Sequence, residues 1–579
     1  MKIQFITSTF NGMAQRLWIE LDKLNHEVNV VISFSDEQLI NETENYQPEL
    51  IIAPFLTSKI PEEIWKTNTC LIVHPGIKGD RGASSLDWAI LQQKKTWGVT
   101  ILQANEKMDA GDIWAFNSFS MRNVSKAELY RSEITQAASK GILQAIENFQ
   151  NSDFKPEHLD YSNPDIRGKW NNRTTQKNFQ FSWNDDTQTI IKKIRAADSS
   201  PGVLITLLNK NYYCFGAHLE SVFKGISGEI IAQRDDAICV ATKEDAIWLT
   251  HLKKSEERSI KLPATIALGE LSEAIPLKKR NPFTKLEEQT WQEIRFKQEG
   301  DIGYLHFDFY NGAMNSKQCN RLKEAIIEAK KRVRLIVLMG GRDVWSNGIH
   351  LNVIENAKDP SEESWKNIQA IDDLILELIT STNHYIISAL QGNAGAGGVS
   401  LALASDKVLV RNGIVLNPHT KNMGLFGSEY WTYLLPKRIG YKKAERFTED
   451  RLPWGVDVAN EIGLIDGVFG KTNAEFVTYV KHQANEIINL KYFNKLIKAK
   501  YLQRRKDERI KPLEHYRKEE LEKMHKNFFE NDMDYHYKRY CFVHKFTDEN
   551  SQTVKDLYRN RREIYRKRKW ENLDYNDSF

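Results

Sequence analysis

Three short words in this chain of 579 residues carry groups able to do chemistry. The first sets His74, in His74-Pro75-Gly76, at the end of an apolar run over 71–73, and Asp109, in Lys107-Met108-Asp109-Ala110-Gly111-Asp112, on a later turn. A carboxylate beside a histidine orients the ring and raises its proton affinity, which suits general acid–base catalysis. Spacing alone favours a blander pair, a turn histidine and a capping aspartate. The second word is Ala389-Leu-Gln-Gly392-Asn-Ala-Gly395-Ala-Gly397-Gly398-Val-Ser400, a strand, a glycine-rich turn and a small-residue helix. Such a turn bares backbone N–H groups at a helix start, where negative charge is favoured. The third, Gly427-Ser428-Glu429-Tyr430, offers Glu429 as a base, with Tyr430 and the preceding His419 as supporting or alternative groups.

The elements that must position these groups fall into units. Residues 1–160 alternate strand signals (2–7, 28–34, 50–54, 71–73, 99–104) with helix signals (14–24, 84–94, 126–149). That alternation predicts a parallel sheet with helices on both faces. Asn11-Gly12 lies at the first strand-to-helix junction, where such sheets place ligand loops, but it is not a G-x-G-x-x-G fingerprint, so no dinucleotide site is expected. Residues 161–275 begin with a polar connector and continue in short strand-like runs, which predict a small β-barrel of OB-like character. A linker covers 276–291, and a third α/β unit runs over 292–490. A charged helical extension fills 491–579; its densest basic run, 559–569, reads as a solvated helix face.

The length calls for about four units, and 41% hydrophobic residues with 14 Trp supply real cores. A net charge of +4 predicts neither a nucleic-acid nor a membrane partner. The five cysteines form no C-x-x-C pair, so free thiols in a reducing cytoplasm are expected. The 14 histidines show no metal-ligand spacing, and no bound metal is predicted. No leader-like start and no run of about 18 apolar residues is present, which predicts a soluble protein without a membrane span.

His74-Pro-Gly, Arg81-Gly82-Ala83, Gly98-Val-Thr-Ile-Leu102 and Met108-Asp109-Ala-Gly-Asp112 together resemble the formyl-tetrahydrofolate transferase and hydrolase family. The resemblance implies a Rossmann-like formyltransferase domain, catalytic roles for His74 and Asp109, and formyl-tetrahydrofolate as formyl donor. The family's asparagine two residues before the histidine is here Ile72, so another donor must hold the developing oxyanion. Asn11, Gln15, Arg81 and Gln103 are candidates by residue type and loop position. The segment Ile191-Lys-Lys-Ile-Arg195 to Pro201-Gly202 resembles the start of the barrel-like C-terminal domain of methionyl-tRNA formyltransferases. Without a dense basic stripe, a structural or gating role is expected of it and tRNA binding is not.

Asn311-Gly-Ala-Met314-Asn315, Trp345-Ser346-Asn347-Gly348-Ile349-His350, the glycine-rich word and Ala459-Asn-Glu-Ile-Gly463-Leu464-Ile465-Asp466 resemble the crotonase, or enoyl-CoA hydratase/isomerase, superfamily. The resemblance implies a ββα spiral domain and a coenzyme A site in which Ser346, Asn347 and Gly398 take part. It also implies an oxyanion hole from the N–H groups of Ile349 and Gly397, facing a thioester carbonyl. Hydratases use two glutamates, whereas the aligned positions here hold Ser400 and His419. Water addition thereby loses its acid and base.

In this order, and with the Gly427-Ser-Glu-Tyr-Trp-Thr-Tyr433 stretch, the words resemble a family of hydrogenase maturation proteins. That implies carbon monoxide synthesis: formyl passes from formyl-tetrahydrofolate to coenzyme A, formyl-CoA is decarbonylated, and the nickel–iron hydrogenase maturation machinery receives the product. One thioester must then meet both sites, so a continuous internal cavity is expected. A formyl hydrolase or transferase with a CoA-sensing crotonase unit, and a non-enzymatic maturation scaffold, stay open as alternatives.

Overall fold

The computed structural model describes residues 1–285, 288–449, 451–530 and 534–546. The basic run over 559–569 lies outside the described residues. The first unit is a six-stranded sheet in the order Glu27–Ile32, Lys2–Thr7, Leu50–Ala53, Cys70–His74, Thr96–Gln103, Ile113–Ser120. Its first four strands are parallel, as the alternation predicts, but the last two are antiparallel. The fully parallel sheet is thus corrected to a mixed one, because the segment after His74 folds back on itself. Ser85 Oγ and Trp97 Nε1 both donate to Pro75 O, so Thr96–Gln103 starts at the end of the sheet where Cys70–His74 stops. The chain therefore reverses instead, and a hairpin joins the last two strands.

The second unit is an antiparallel sheet in the order Val203–Leu207, Lys210–Glu220, Ala246–Lys254, Ala237–Ala241, Ile230–Arg234, with Leu262–Pro263 pairing beside Ala246–Lys254. Helix Thr187–Ala197 buries Ile190, Ile191 and Ile194 in the core that this sheet shares with the first unit.

The third unit has two sheets. The larger runs Ile294–Glu299, Ile302–Phe307, Leu335–Leu338, Tyr385–Leu390, Lys407–Arg411, Gly467–Phe469 and is parallel after its first hairpin. Its strand Leu335–Leu338 is buried at every residue, as befits a strand covered on both faces. The smaller sheet joins Val344–Ser346, Asn393–Gly395, Val415–Asn417 and Trp454–Gly455. Helices Pro360–Ile379 and Leu513–Phe529 pack over this unit, and among the described residues no helix is long and apolar enough to cross a membrane.

The first and third units meet along helix Gly12–Lys23, which lies on the smaller sheet. Asn417 Nδ2 donates to Gln15 Oε1 at 3.2 Å, and Lys23 pairs with Asp457. A Cβ added at Gly455 would reach within 2.7 Å of Ile19, so the helix needs glycine beneath it. Glycine is used here for close approach.

Candidate active site

His74 ends a buried strand and is itself only 4% exposed. Its Nε2 lies 3.0 Å from Asp80 Oδ2, and its Nδ1 lies 3.6 Å from Asp109 Oδ1. Two carboxylates therefore flank one imidazole, and the closer one is Asp80. The sequence analysis assigned Asp109 and passed over Asp80; a carboxylate six residues after the histidine, in the same turn, was the available signal. Gly76 makes the pair fit, because a Cβ there would collide with the His74 ring and come within 2.6 Å of Asp80 Oδ2. Burial opposes protonation of His74, but the Asp80 hydrogen bond and the Asp109 charge outweigh it and hold the histidine above its ordinary range.

Asp109 takes a left-handed backbone (φ 52°). Gly82 N donates to its Oδ2 at 3.1 Å, and Arg81 Nε donates to Met108 O at 2.8 Å, so the turn beside His74 clamps the Asp109 loop. Asp80 accepts in addition from Asn171 Nδ2 at 3.1 Å.

The sign of the His74 shift gives a stability prediction. A histidine with a raised folded pKa stabilises the fold fully below its unfolded value of about 6.5, and that contribution is lost as pH rises through the folded value. Asp80→Asn is expected to cost about 1–3 kcal/mol at pH 6 and much less at pH 9. Melting of parent and variant at the two pH values checks it: an equal gap at both would sink the assignment.

The four candidates for the missing oxyanion donor separate by their bonds. Asn11 Oδ1 caps helix Gly12–Lys23 by accepting from Ala14 N at 3.0 Å. Gln103 Oε1 accepts from Trp114 Nε1 at 3.2 Å, and Arg81 is engaged by Met108. Gln15 donates to Phe10 O at 2.9 Å and accepts from Asn417, at the seam between the units. Ile72 packs in an apolar cluster with Ile6, Leu39 and Ile51, so the position of the family's asparagine serves packing.

In the third unit, Ile349 N–H sits between two engaged neighbours. Met314 N donates to Gly348 O, and His350 N donates to Asn367 Oδ1. A Cβ at Gly348 would lie 3.2 Å from Gly397 N, so Gly348, the residue before Ile349, packs closely on Gly397. Gly397 opens helix Gly397–Leu403 after Ala396, whose φ is 46°. Ser346 Oγ accepts from Gly348 N, Asn347 Nδ2 donates to Asn311 O, and Gly398 O accepts from Trp345 Nε1. The polar groups of these three thus shape the turn itself.

Glu429 is 4% exposed, and its Oε1 lies so near Gly397 that a Cβ there would collide with it. Burial first, and the charges of Asp372 and Glu520 next, push its carboxyl up to about 8. Tyr430 is buried beside it, with its pKa raised chiefly by burial. His419 begins a short 3₁₀ turn over His419–Met423; its side chain lies outside the described residues. Asp372, Arg517 and Glu520 escaped the sequence analysis. Their signal was a charge on an apolar stripe: Asp372 follows Ile368 by four and precedes Ile375 by three, and Glu520 stands four before Met524.

The first and third units also meet at Asn417. Asn417 O accepts from Ala396 N at 2.9 Å, one residue before Gly397, while the same residue's amide reaches Gln15 of the first unit. Among the described residues no group of three His, Cys, Asp or Glu is arranged to hold a metal ion.

Fold and site define a class: a formyl transferase joined through its own C-terminal domain to an enoyl-CoA hydratase/isomerase-type unit. The formyl transferase family matches residues 19–146, its C-terminal domain 173–267, and enoyl-CoA hydratase/isomerase 309–546. The chain is 40% identical over 547 residues to the hydrogenase maturation factor HoxX of Bradyrhizobium diazoefficiens, covering 94% of this chain and 95% of that one. The crystal structure of HypX from Aquifex aeolicus in complex with tetrahydrofolic acid superposes with a TM-score of 0.92 at 45% identity, over 95% of this chain and 97% of that one. The methionyl-tRNA formyltransferase of Bacillus subtilis matches more distantly, 22% identical over 220 residues, or 37% of this chain and 68% of that one. The chain belongs to the HypX/HoxX family of hydrogenase maturation factors.

Proposed function

We propose that this protein makes carbon monoxide for nickel–iron hydrogenase maturation. It moves formyl from formyl-tetrahydrofolate to coenzyme A in the first unit and decarbonylates the resulting thioester in the third. The observation that carries this reading is the Glu429 carboxyl packed against Gly397, in a crotonase-type site whose hydratase glutamate positions hold Ser400 and His419. A base at an oxyanion hole, in a site that lacks the hydratase pair of glutamates, suits removal of a formyl proton.

The HypX of Aquifex aeolicus has been crystallised with tetrahydrofolic acid, and we assign the same ligand to the first unit here. Coenzyme A supplies a thiol that accepts formyl as a thioester. His74, flanked by Asp80 and Asp109, is suited to stabilise the tetrahedral oxyanion and protonate the departing folate nitrogen. Asp109 orients the ring from its other side or takes the thiol proton. Asn11 and Gln103, engaged through their amide oxygens, keep N–H groups to donate and are favoured over Gln15, whose Nε2 donates to Phe10 O, as substitutes for the family's asparagine. Ile349 and Gly397 then polarise the thioester carbonyl while Glu429 takes the formyl proton. A single thioester reaches both sites through a common cavity, a reading supported by the contact of the two units at Asn417, one hydrogen bond from Ala396.

The residues also suit the phosphates of coenzyme A. Lys261, which donates to Tyr310 OH at 3.0 Å, is brought down to about 8 by burial and by the charges of Arg131, Lys545 and Lys253, against the pull of Asp198. Cations from the first unit, the second unit and the C-terminal extension thus act on one junction, opposed by the Asp198 carboxylate, a setting that a phosphate would relieve. Lys261→Ala is expected to raise the KM for coenzyme A about ten- to a hundredfold and to leave the KM for the folate donor unchanged. A parallel change in both constants would argue against a phosphate contact.

The deciding experiment is headspace carbon monoxide, trapped by reduced haem, from protein given formyl-tetrahydrofolate labelled at the formyl carbon. Labelled gas that requires coenzyme A is the expected result. Labelled formate instead would point to a hydrolase, and no product to a scaffold.

A further inference from the structure

Glu429 is not a lone buried acid. Asp372, from helix Pro360–Ile379, and Glu520, from helix Leu513–Phe529, are both fully buried and both converge on the segment 428–432. Asp372 Oδ1 accepts from Glu429 N at 2.9 Å. Glu520 Oε2 accepts from Tyr430 N at 2.9 Å, and its Oε1 accepts from Thr432 N at 2.9 Å. Between the two carboxyls stands Ser428 Oγ, 2.9 and 3.0 Å from the Asp372 oxygens and 3.3 Å from Glu520 Oε2. A hydroxyl has one proton to donate. Ser428 serves both acids only if one of them is protonated and donates to it.

These bonds hold an unfavourable backbone. Glu429 and Tyr430 both adopt left-handed conformations, φ 66° and 56°, which side chains other than glycine rarely take. That conformation brings Glu429 Oε1 against Gly397.

We propose that Asp372 and Glu520, joined through Ser428, are positioning residues for Glu429: they fix the strained turn that aims its carboxyl at the oxyanion site and share a proton with each other through Ser428. The proposal rests on the decarbonylation reading above. Its chemical use follows from the reaction. Glu429 takes the formyl hydrogen as a proton, the C–H electron pair stays on carbon as carbon monoxide forms, and the C–S bond breaks with its pair on sulfur. The proton then passes from Glu429 to the thiolate, and carbon monoxide and thiol leave. A carboxyl of ordinary strength, near 4.3, removes that proton poorly. One raised by burial and by the negative charge that Asp372 and Glu520 hold between them approaches a thiol near 8.5, so both transfers become nearly level in energy.

The groups facing the turn are few. Arg517 Nε lies 3.9 Å from Asp372 Oδ2 and its Nη2 is 2.7 Å from Asp373, which Lys323 also meets at 3.3 Å. Tyr430 lies beside Arg517, and the Cys319 thiol, on helix Ser316–Lys330, is pushed up chiefly by burial. The two charges acting on Glu429 itself are those of Asp372 and Glu520.

The test uses full-length protein supplied directly with formyl-CoA, with carbon monoxide release followed from pH 6 to 10. In the parent the rate is expected to rise through an apparent pKa near neutrality or above and then level. Asp372→Asn and Glu520→Gln are each expected to move that limb about one unit to lower pH and lower the plateau about tenfold. Ser428→Ala, a smaller change should either carboxyl variant fail to fold, is expected to move it in the same direction. Release by the parent with an unmoved limb in the variants that fold overturns the proposal alone. No release by the parent overturns both this proposal and the decarbonylation reading. An infrared titration of the parent needs no variant: a protonated carboxylic acid band persisting to neutral pH is expected, and complete ionisation by pH 6 overturns the shared proton.

Discussion

Glu429→Gln is expected to lower carbon monoxide release about 10²–10⁴-fold while formyl-CoA still forms from the folate donor and accumulates. Glutamine keeps the volume and the acceptor oxygen of the side chain but takes up no proton. The substitution should not cost stability. A glutamate raised from about 4.3 unfolded to about 8 folded contributes most favourably below its unfolded pKa, and that contribution is lost as pH rises through about 8. At pH 7.5 and above, replacing it with a neutral isostere removes a carboxylate that burial and the negative charge held between Asp372 and Glu520 oppose. Melting equal to or above that of the parent, with thioester accumulating in place of gas, is the outcome sought. Gas at the parental rate would remove Glu429 as the base and leave His419 and Tyr430 to be tried.

The complementary loss lies at the other end of the chain. His74→Asn is expected to depress carbon monoxide from formyl-tetrahydrofolate about 10²–10⁴-fold and to leave release from added formyl-CoA at the parental rate. The contrast follows from the architecture. His74 and its carboxylates belong to the first sheet, and Glu429 with Gly397 to the third unit, so each chemistry has its own base and its own N–H or imidazole donor. Asparagine is chosen because alanine would leave Asp80 and Asp109 buried with nothing to donate to them, a loss of several kcal/mol. If His74→Asn depressed both activities alike, the two sites would be acting as one unit, and the division of labour argued here would fail.

The words that identified both units are local. Strand, turn and helix signals in His74-Pro75-Gly76 and in the glycine-rich run ending at Gly397-Gly398 depend on residues adjacent in the chain, where glycine conformation and apolar runs act directly. The mixed first sheet was less legible, because the direction of Thr96–Gln103 depends on where the preceding segment folds back, which the bonds of Ser85 and Trp97 to Pro75 O set. The partner of His74 was half legible. Asp80 is in its own turn, but only the packed turn shows that Asp80 approaches more closely than Asp109. The carboxyls around Glu429 were hidden by distance in sequence, although each breaks an apolar helix stripe.

What the sequence by itself determined, then, is the family and order of the units, since these follow from local conformation and from patterns of residue type. What only the tertiary structure decided is which charges face each other. The junction of Lys261 with Arg131, the seam of Gln15 with Asn417, and the meeting of Asp372, Ser428 and Glu520 behind Glu429 join residues 56 to 402 positions apart. The reason is physical: proton affinity in a buried site is set by desolvation and by charges a few ångströms away, and neither exists until the helices and sheets that carry those charges have packed.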